Sequence, residues 1–336
     1  MIDKHVRVSD VARAAGVSIS TVSRALNHPK AVKPETAEKI RLAFEDLGVA
    51  SESRERKSKA GGLILFSLPS IDNPFYGDIV SGATASADAH GYHLVILQEN
   101  INSNTLSRVR EIVRLPPIVG LISTGRMVEH RILQELDSIV PTVQCCEYNE
   151  ACDLPFVSID DVSAAKTATE YLISCGRNKI ALINGPLAYK YATQRLAGFK
   201  QAMEEHGLTV PNKWIVHLPK IDNDIANSSI CHLLNTPAPP NALFASSDVL
   251  AIAAIRAAKR YGIDVPRDLS IIGFDNLPIS AMSVPSLTTV SQPRYQMGYT
   301  VCELLIERLR SPSAKQKSIL LDVEIVVRES TALIGH

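Results

Sequence analysis

From Gly62 onward, short apolar runs alternate with stretches that have helical spacing, and this alternation constrains the fold more than any other feature. The first series predicts strands at 63–68, 94–97, 119–123 and 141–145, with helices at 75–90 and 104–114. After Asp160 a second series predicts strands at 180–184, 214–217, 242–245 and 269–274, and helices at 163–175, 193–206, 224–235 and 248–261. Such alternation builds parallel sheets with helices on both faces. We therefore predict an α/β body of two lobes with doubly wound sheets and a cleft between them.

The position of a ligand site follows from this arrangement. In open parallel sheets, ligands bind beyond the carboxyl ends of the strands. In this sequence the segments that follow the strands are 69–76, 184–191, 246–248 and the position of Asp275. We expect these segments to line the cleft.

The first fifty residues have a different pattern, typical of three short helices. Apolar residues recur at helical spacing over residues 8–15, and Gly16 permits a tight turn. Ser18 is a candidate N-cap for the next helix, and Pro34 suits the first turn of a third helix. This is the order of parts in a helix-turn-helix.

The predicted second helix carries small and hydrogen-bonding side chains that suit base edges and phosphates. The residues that we predict to contact DNA are Ser18, Ile19, Ser20, Thr21, Ser23, Arg24 and Asn27. Residues 1–50 are thus predicted to be an all-helical DNA-binding domain. The alternative is a small helical hairpin that serves only as a cap or a dimer interface.

Residues 51–60 read Ser-Glu-Ser-Arg-Glu-Arg-Lys-Ser-Lys-Ala and offer nothing that would be buried in a core. We therefore predict a flexible linker at 51–61 and an effector-binding body at 62–336. The first lobe is expected at about 62–161 and 293–325, and the second at about 162–292 and 326–336.

The run Val-Ser-Ile-Ser-Thr-Val-Ser-Arg-Ala-Leu-Asn at 17–27 resembles the DNA-binding head of the LacI/GalR family of transcription regulators. Further similar runs are Asp-Asn-Pro-Phe-Tyr at 72–76, Arg-Leu-Ala-Gly-Phe at 195–199, Ser-Asp at 247–248, Gly-Phe-Asp at 273–275 and Leu-Thr-Thr-Val at 287–290. The resemblance covers nearly the whole chain. It implies a homodimer that reads a near-palindromic double-stranded DNA operator, with a body like a periplasmic binding protein.

The resemblance also implies a small-molecule effector in the cleft, contacted first by Arg195 and Asp275. A guanidinium offers a fork of donors, and a carboxylate accepts bonds from ligand hydroxyls or amines. The alternative is an ion pair that braces the lobes, and both roles can coexist. The other candidate effector contacts are Phe75, Tyr76, Asp160, Tyr189, Tyr191, Asp248 and Gln292. For Phe75 and Tyr76 the alternative is the core, and for Asp160 and Gln292 it is bracing of the hinge.

Runs at 154–160 and 292–295 resemble a nucleoside-responsive branch of the family, which implies a nucleoside effector, cytidine first. A sugar effector is the alternative within the same class. A solute-binding receptor is an alternative of another class, which the helix-turn-helix and the polar start of the chain disfavour.

The linker departs from the family pattern, in which a hinge helix inserts a leucine into the minor groove. Ser58 falls where that leucine would be, and a hydroxyl cannot replace an apolar wedge. We therefore expect little DNA bending and, as the resemblance also implies, help from a second DNA-bound regulator.

Composition excludes several other classes. Residues 1–60 hold 12 Lys plus Arg against 8 Asp plus Glu, so a basic head precedes an acidic body. No apolar run is long enough for a membrane helix, and the 6 cysteines suggest a reducing cytoplasm. No catalytic or metal-binding motif is present, so we expect neither an enzyme nor a cofactor. Adjacent Cys145 and Cys146 are either redox-active or buried strand residues.

Overall fold

The computed structural model describes residues 8–18, 21–22, 25, 32–46, 61–125, 128–312 and 317–331. The chain divides into two compact units, residues 1–61 and 62–336. Apart from Gly61, the predicted linker lies outside the described residues.

The first unit contains helices α1 (Val8–Ala15) and α2 (Pro34–Asp46). Its small core is formed by Ala12, Val22, Ile40 and Ala43, which are all buried. Gly16 has a φ of +65°, the left-handed conformation that the predicted tight turn requires. The sequence pattern therefore located this turn correctly.

The first lobe of the second unit is built on a six-stranded sheet with the order β11-β5-β4-β3-β1-β2. All of its pairings are parallel. The strands are β1 (Leu63–Leu68), β2 (His93–Gln98), β3 (Ile118–Ser123), β4 (Thr142–Cys145), β5 (Phe156–Ile159) and β11 (Ile319–Leu321). The helices are α3 (Tyr76–Ala89), α4 (Leu106–Val113), α5 (His130–Ile139) and α11 (Arg294–Arg310), the last of which packs on α3.

The second lobe has a six-stranded sheet with the order β12-β10-β9-β8-β6-β7. The strands are β6 (Ile180–Asn184), β7 (Ile215–His217), β8 (Ala242–Ala245), β9 (Ser270–Phe274), β10 (Thr288–Ser291) and β12 (Glu324–Val326). The helices are α6 (Asp161–Ser174), α7 (Lys190–Glu205), α8 (Asn223–Leu234), α9 (Asp248–Arg260) and α10 (Pro278–Met282). The predicted α/β body of two doubly wound lobes is confirmed.

The chain passes between the lobes three times, after β5, after β10 and between β11 and β12. The last passage falls at residues 322–323, slightly before the predicted boundary at 325. The reason is that β12 already pairs antiparallel with β10, with Val290 opposite Ile325. The loops that follow β1, β4, β6, β9 and β10 all border the space between the lobes.

The two adjacent cysteines lie where β4 ends. Cys145 is buried at the end of β4, and the half-buried Cys146 beside it has a φ of 65°. Within the part of the chain that the structure describes, no helix has the length and apolar character needed to cross a bilayer.

Candidate functional site

A cleft with about 530 Å³ of space between protein atoms, part of it open solvent, lies between the two lobes at the carboxyl ends of their strands. It brings together most of the body residues that the sequence singled out. Those that line the cleft are Phe75, Tyr76, Tyr189, Tyr191, Arg195, Asp275 and Gln292. They arrive from four separate chain segments, which follow β1, β6, β9 and β10 as parallel sheets require.

Arg195 lies on α7 and is held from several sides. Its Nε donates to Asp161 Oδ1 at 2.8 Å, and its Nη1 donates to the carbonyl oxygen of Ser246 at 2.7 Å. The guanidinium also lies over the Phe274 ring, with Cζ 3.5 Å from the ring centroid. Asp275 is more distant, with 3.8 Å between Nη1 and Oδ1. All of these partners belong to the second lobe, as Arg195 does, so its ion pairs hold two helices of one lobe together and do not brace the lobes against each other.

Lys190, on the same helix, shares that carboxylate. Its Nζ lies 2.8 Å from Asp161 Oδ2 and donates to Gln194 Oε1 at 3.0 Å. The ammonium also lies 4.5 Å from the centroid of the Tyr148 ring. One buried carboxylate at the start of α6 thus pairs with two cations of α7, which fixes these helices against each other.

Asp275 is positioned by the backbone as well as by its side chain. It has a φ of 109°, which is unusual for a residue with a side chain and directs the chain away from β9. Gln292 Nε2 donates to Asp275 Oδ1 at 2.8 Å. Burial raises the pKa of Asp275 to about 6, against the opposing effect of Arg195. In its ionised form this carboxylate, which lines the cleft, can accept hydrogen bonds from a ligand.

Glu147 enters the cleft from the first lobe, in the loop after β4, and was not singled out from the sequence. Its Oε2 accepts from the backbone N–H of Lys190 at 2.5 Å, and its Oε1 from that of Tyr191 at 3.2 Å. A carboxylate of one lobe thus caps the first turn of a helix of the other. Burial raises the pKa of Glu147 to about 7.

Aromatic rings supply the apolar wall of the cleft. Phe75 and Tyr76 meet edge to face with centroids 5.2 Å apart, and Tyr189 and Tyr191 lie 5.6 Å apart. Burial raises the pKa of Tyr76 and of Tyr191, so both phenols stay neutral. The cleft therefore combines flat apolar faces with carboxylate acceptors.

Two predicted residues do not line the cleft. Asp160 caps α6, where it accepts from the backbone N–H of Ser163 at 3.0 Å, so the neighbouring Asp161 reaches the cleft instead. Asp248 is fully buried and accepts from Thr289 Oγ1 at 2.6 Å and from the N–H of Leu277 at 2.7 Å. Burial raises its pKa to about 8. The carboxyl groups of Asp160 and Asp248 thus both accept hydrogen bonds from other parts of the second lobe.

Other lining residues had a weaker signal or none in the sequence. Asn73 and Ser246 fall within segments that were expected at the strand ends, whereas Asp161 and Glu147 depend on tertiary contacts. Among the described residues, no three His, Cys, Asp or Glu side chains form a group that could hold a metal ion.

Only part of the predicted DNA-contact surface can be described. Ser18 is exposed and its Oγ accepts from the backbone N–H of Thr21 at 3.2 Å, as an N-cap does. Thr21 is half-buried. The remaining predicted contacts lie outside the described residues, namely Ile19, Ser20, Ser23, Arg24 and Asn27.

Comparisons with known proteins agree with this architecture. The chain matches the family described as bacterial regulatory proteins, lacI family, over residues 7–50, and the periplasmic binding protein-like domain over residues 169–331. It is 34% identical over 328 residues, 96% of each chain, to the HTH-type transcriptional repressor CytR of Escherichia coli strain K12. It is also 33% identical over 327 residues, again 96% of each chain, to the ribose operon repressor of Halalkalibacterium halodurans.

A solved structure extends the similarity to the fold. The lac repressor dimer bound to operator and the anti-inducer ONPF matches with a TM-score of 0.74 over 98% of this chain and all of that one, at 24% identity. The two family matches and the near full-length relatives carry the assignment. The chain therefore belongs to the lacI family of bacterial regulatory proteins and is a DNA-binding transcriptional repressor.

Proposed function

We propose that this repressor changes its operator affinity when a nucleoside, cytidine first, binds in the cleft between the lobes. The observation that carries the proposal is the convergence of Arg195, Asp275 and Gln292 with the aromatic wall. Phe75 and Tyr76 belong to the first lobe, whereas Arg195 and Asp275 belong to the second, so lobe closure and ligand contact are coupled. Effector and operator would then influence each other reciprocally.

The chemistry of the cleft suits a nucleoside. Tyr76 and Tyr191 offer faces on which a flat base can stack, while Asp275 accepts hydrogen bonds from ribose hydroxyls. Gln292 adds an amide beside that carboxyl. The runs at 154–160 and 292–295, which resemble a nucleoside-responsive branch of the family, support the same choice.

A free sugar is the second candidate, because carboxylates that accept from hydroxyls also suit a pentose. The similarity to a ribose operon repressor favours it. The two candidates differ in the use of the aromatic wall, since a base gains from stacking on a ring and a pentose has no flat face.

We infer a homodimer from exposed apolar residues at one sheet edge. The edge strand β2 exposes Val95 and Ile96 by 37% and 36%, and such an edge needs a partner. In the second lobe, Met282 and Val284 are 78% and 88% exposed. A second copy of the chain would cover these surfaces. The likeness to the lac repressor dimer supports this choice.

The partners that we propose are therefore an operator DNA, a small-molecule effector and a second copy of the chain. A second DNA-bound regulator is the further partner, because a linker without the apolar wedge would leave the dimer with modest affinity of its own.

Isothermal titration calorimetry of the full chain tests the effector. Cytidine is expected to bind the wild type, and Asp275→Asn is expected to weaken binding by about tenfold or more, since hydrogen bonds to a charged group are strong. Asp248→Asn is the matched control, because this carboxyl is equally buried but does not line the cleft. Equal losses in both variants, or binding of ribose without cytidine, would contradict the nucleoside proposal.

A further inference from the structure

Carboxylates outnumber cations around the cleft. Among the described residues that line it, Glu147, Asp161 and Asp275 carry carboxylates, and Arg195 is the one cation. All four are at least nine-tenths buried. Lys190 is not part of this lining. Even when it is counted, the carboxylates outnumber the cations at this site. A ligand that enters the cleft meets an excess of acceptors.

Both cations are already engaged by the protein. Arg195 binds Asp161 and the carbonyl oxygen of Ser246, and Lys190 binds the other oxygen of Asp161. A phosphate could recruit these side chains only by breaking buried bonds to Asp161, which would leave that carboxylate uncompensated.

The backbone donors that would attract an anion are also occupied. The N–H groups of Lys190 and Tyr191, in the first turn of α7, both bind Glu147. An anionic ligand group would have to displace a carboxylate that belongs to the opposite lobe. It would also lie beside Asp275, whose charge repels it.

We propose that Glu147 is a specificity-determining residue that excludes phosphorylated effectors, so that the cleft accepts an uncharged or cationic ligand rich in hydrogen-bond donors. The inference rests on the proposed function and narrows it to the nucleoside or sugar in its unphosphorylated form. Glu147 then also links the two lobes around such a ligand.

Calorimetry on the full chain with matched pairs tests this inference at pH 8, where the Glu147 carboxyl with its pKa of about 7 is mostly ionised. The pairs are cytidine with cytidine monophosphate, and ribose with ribose monophosphate. The wild type is expected to bind the unphosphorylated member of a pair at least about 100-fold more tightly, since like charges in an interface cost several kcal/mol. Glu147→Gln keeps the shape of the side chain and removes its charge. This variant is expected to reduce the ratio of the two affinities, unphosphorylated to phosphorylated, about tenfold. Glu150→Gln, an exposed acid of the same loop, should leave the ratio unchanged.

Two results would overturn the inference: a wild type that binds the phosphorylated member equally well or better, and a ratio that Glu147→Gln leaves unchanged. If neither cytidine nor ribose binds, the proposed effectors are wrong, and inorganic phosphate decides the role of Glu147 separately. Phosphate should then raise the melting temperature of Glu147→Ala, whose α7 donors are open, and not that of the wild type. An equal rise in the melting temperature of the two proteins, or no rise in either, would overturn the proposed role of Glu147. If Glu147→Ala does not fold, the same comparison is made with Glu147→Ser, whose side chain is too short to cover both N–H groups.

Discussion

Arg195 Nε lies 2.8 Å from Asp161 Oδ1, and both side chains are almost fully buried. The second oxygen of the same carboxylate binds Lys190 Nζ, also at 2.8 Å. The arginine that the sequence motif indicates as a ligand contact is thus also the group that joins α6 to α7 beneath the cleft. Its substitution will affect stability as well as recognition.

Arg195→Ala is therefore expected to lower the free energy of unfolding by about 3–5 kcal/mol, because it removes one partner of a buried ion pair. Urea unfolding followed by circular dichroism measures this loss. Arg267→Ala is the control, since Arg267 forms an exposed pair with Asp268 and should leave the unfolding midpoint unchanged. Equal midpoints for Arg195→Ala and the wild type would show that the Asp161 network does not stabilise the fold.

Glu147→Gln is expected to change how stability depends on pH. Burial raises the pKa of Glu147 from 4.5 to about 7, so the folded chain binds more protons than the unfolded chain between these values. The free energy of unfolding therefore falls as pH rises through this window. Without the carboxyl, the variant should gain stability relative to the wild type from about pH 5 to 8, by on the order of 1–3 kcal/mol.

Urea unfolding of both proteins at a series of pH values gives this difference directly. Asp248 and Asp275 are present in both proteins, so their titration is common to the two curves. Parallel stability curves across the window would mean that Glu147 is not held in a buried, protonatable state.

Arg24→Ala is expected to abolish operator binding while the body melts at the wild-type temperature. The expectation comes from the sequence motif, since Arg24 lies outside the described residues. Fluorescence anisotropy with a labelled operator, selected from random DNA by the full chain, measures the affinity, which should fall steeply with salt for the wild type. Arg13→Ala removes the same charge from the exposed face of α1 and should cost less. A larger loss with Arg13→Ala would place the DNA-reading surface elsewhere.

The linker sequence makes a separate prediction about operator geometry. Without a leucine wedge at Ser58, the dimer should tolerate half-sites moved apart by whole helical turns. The same anisotropy assay on operators with altered spacing measures this tolerance, and a gel-shift bending assay measures the bend. Binding at a single spacing together with a strong bend would contradict the flexible linker.

Strand–helix alternation predicted the body well, because buried parallel strands are continuous apolar runs that stand out from their surroundings. The bounds of β6 and β8 agree with the sequence analysis to the residue. Strands β5 and β10 to β12 were not singled out, since they have only three or four residues, and all of them except β11 include polar side chains. Their pairing is decided by neighbours distant in the sequence.

In the candidate site, too, some features follow from local sequence and others depend on tertiary contacts. Arg195 and Asp275 reach the cleft as the motifs indicate, whereas α7 begins at Lys190 and not at the predicted residue 193. No side chain of its own caps that helix, and its first N–H groups bind Glu147 of the other lobe. A cap supplied by tertiary structure leaves no local signal, so neither the helix start nor the role of Glu147 could be predicted.

If a ligand in the cleft controls the affinity for the operator, cytidine must change that affinity. Operator affinity of the full chain is measured by fluorescence anisotropy with and without saturating cytidine, for the wild type and Asp275→Asn. Cytidine is expected to change the operator affinity of the wild type by roughly 5–150-fold, the usual range of allosteric coupling, whereas Asp275→Asn should lose this change and keep operator binding. An affinity that cytidine leaves unchanged in the wild type, or a full response that persists in Asp275→Asn, would contradict this expectation.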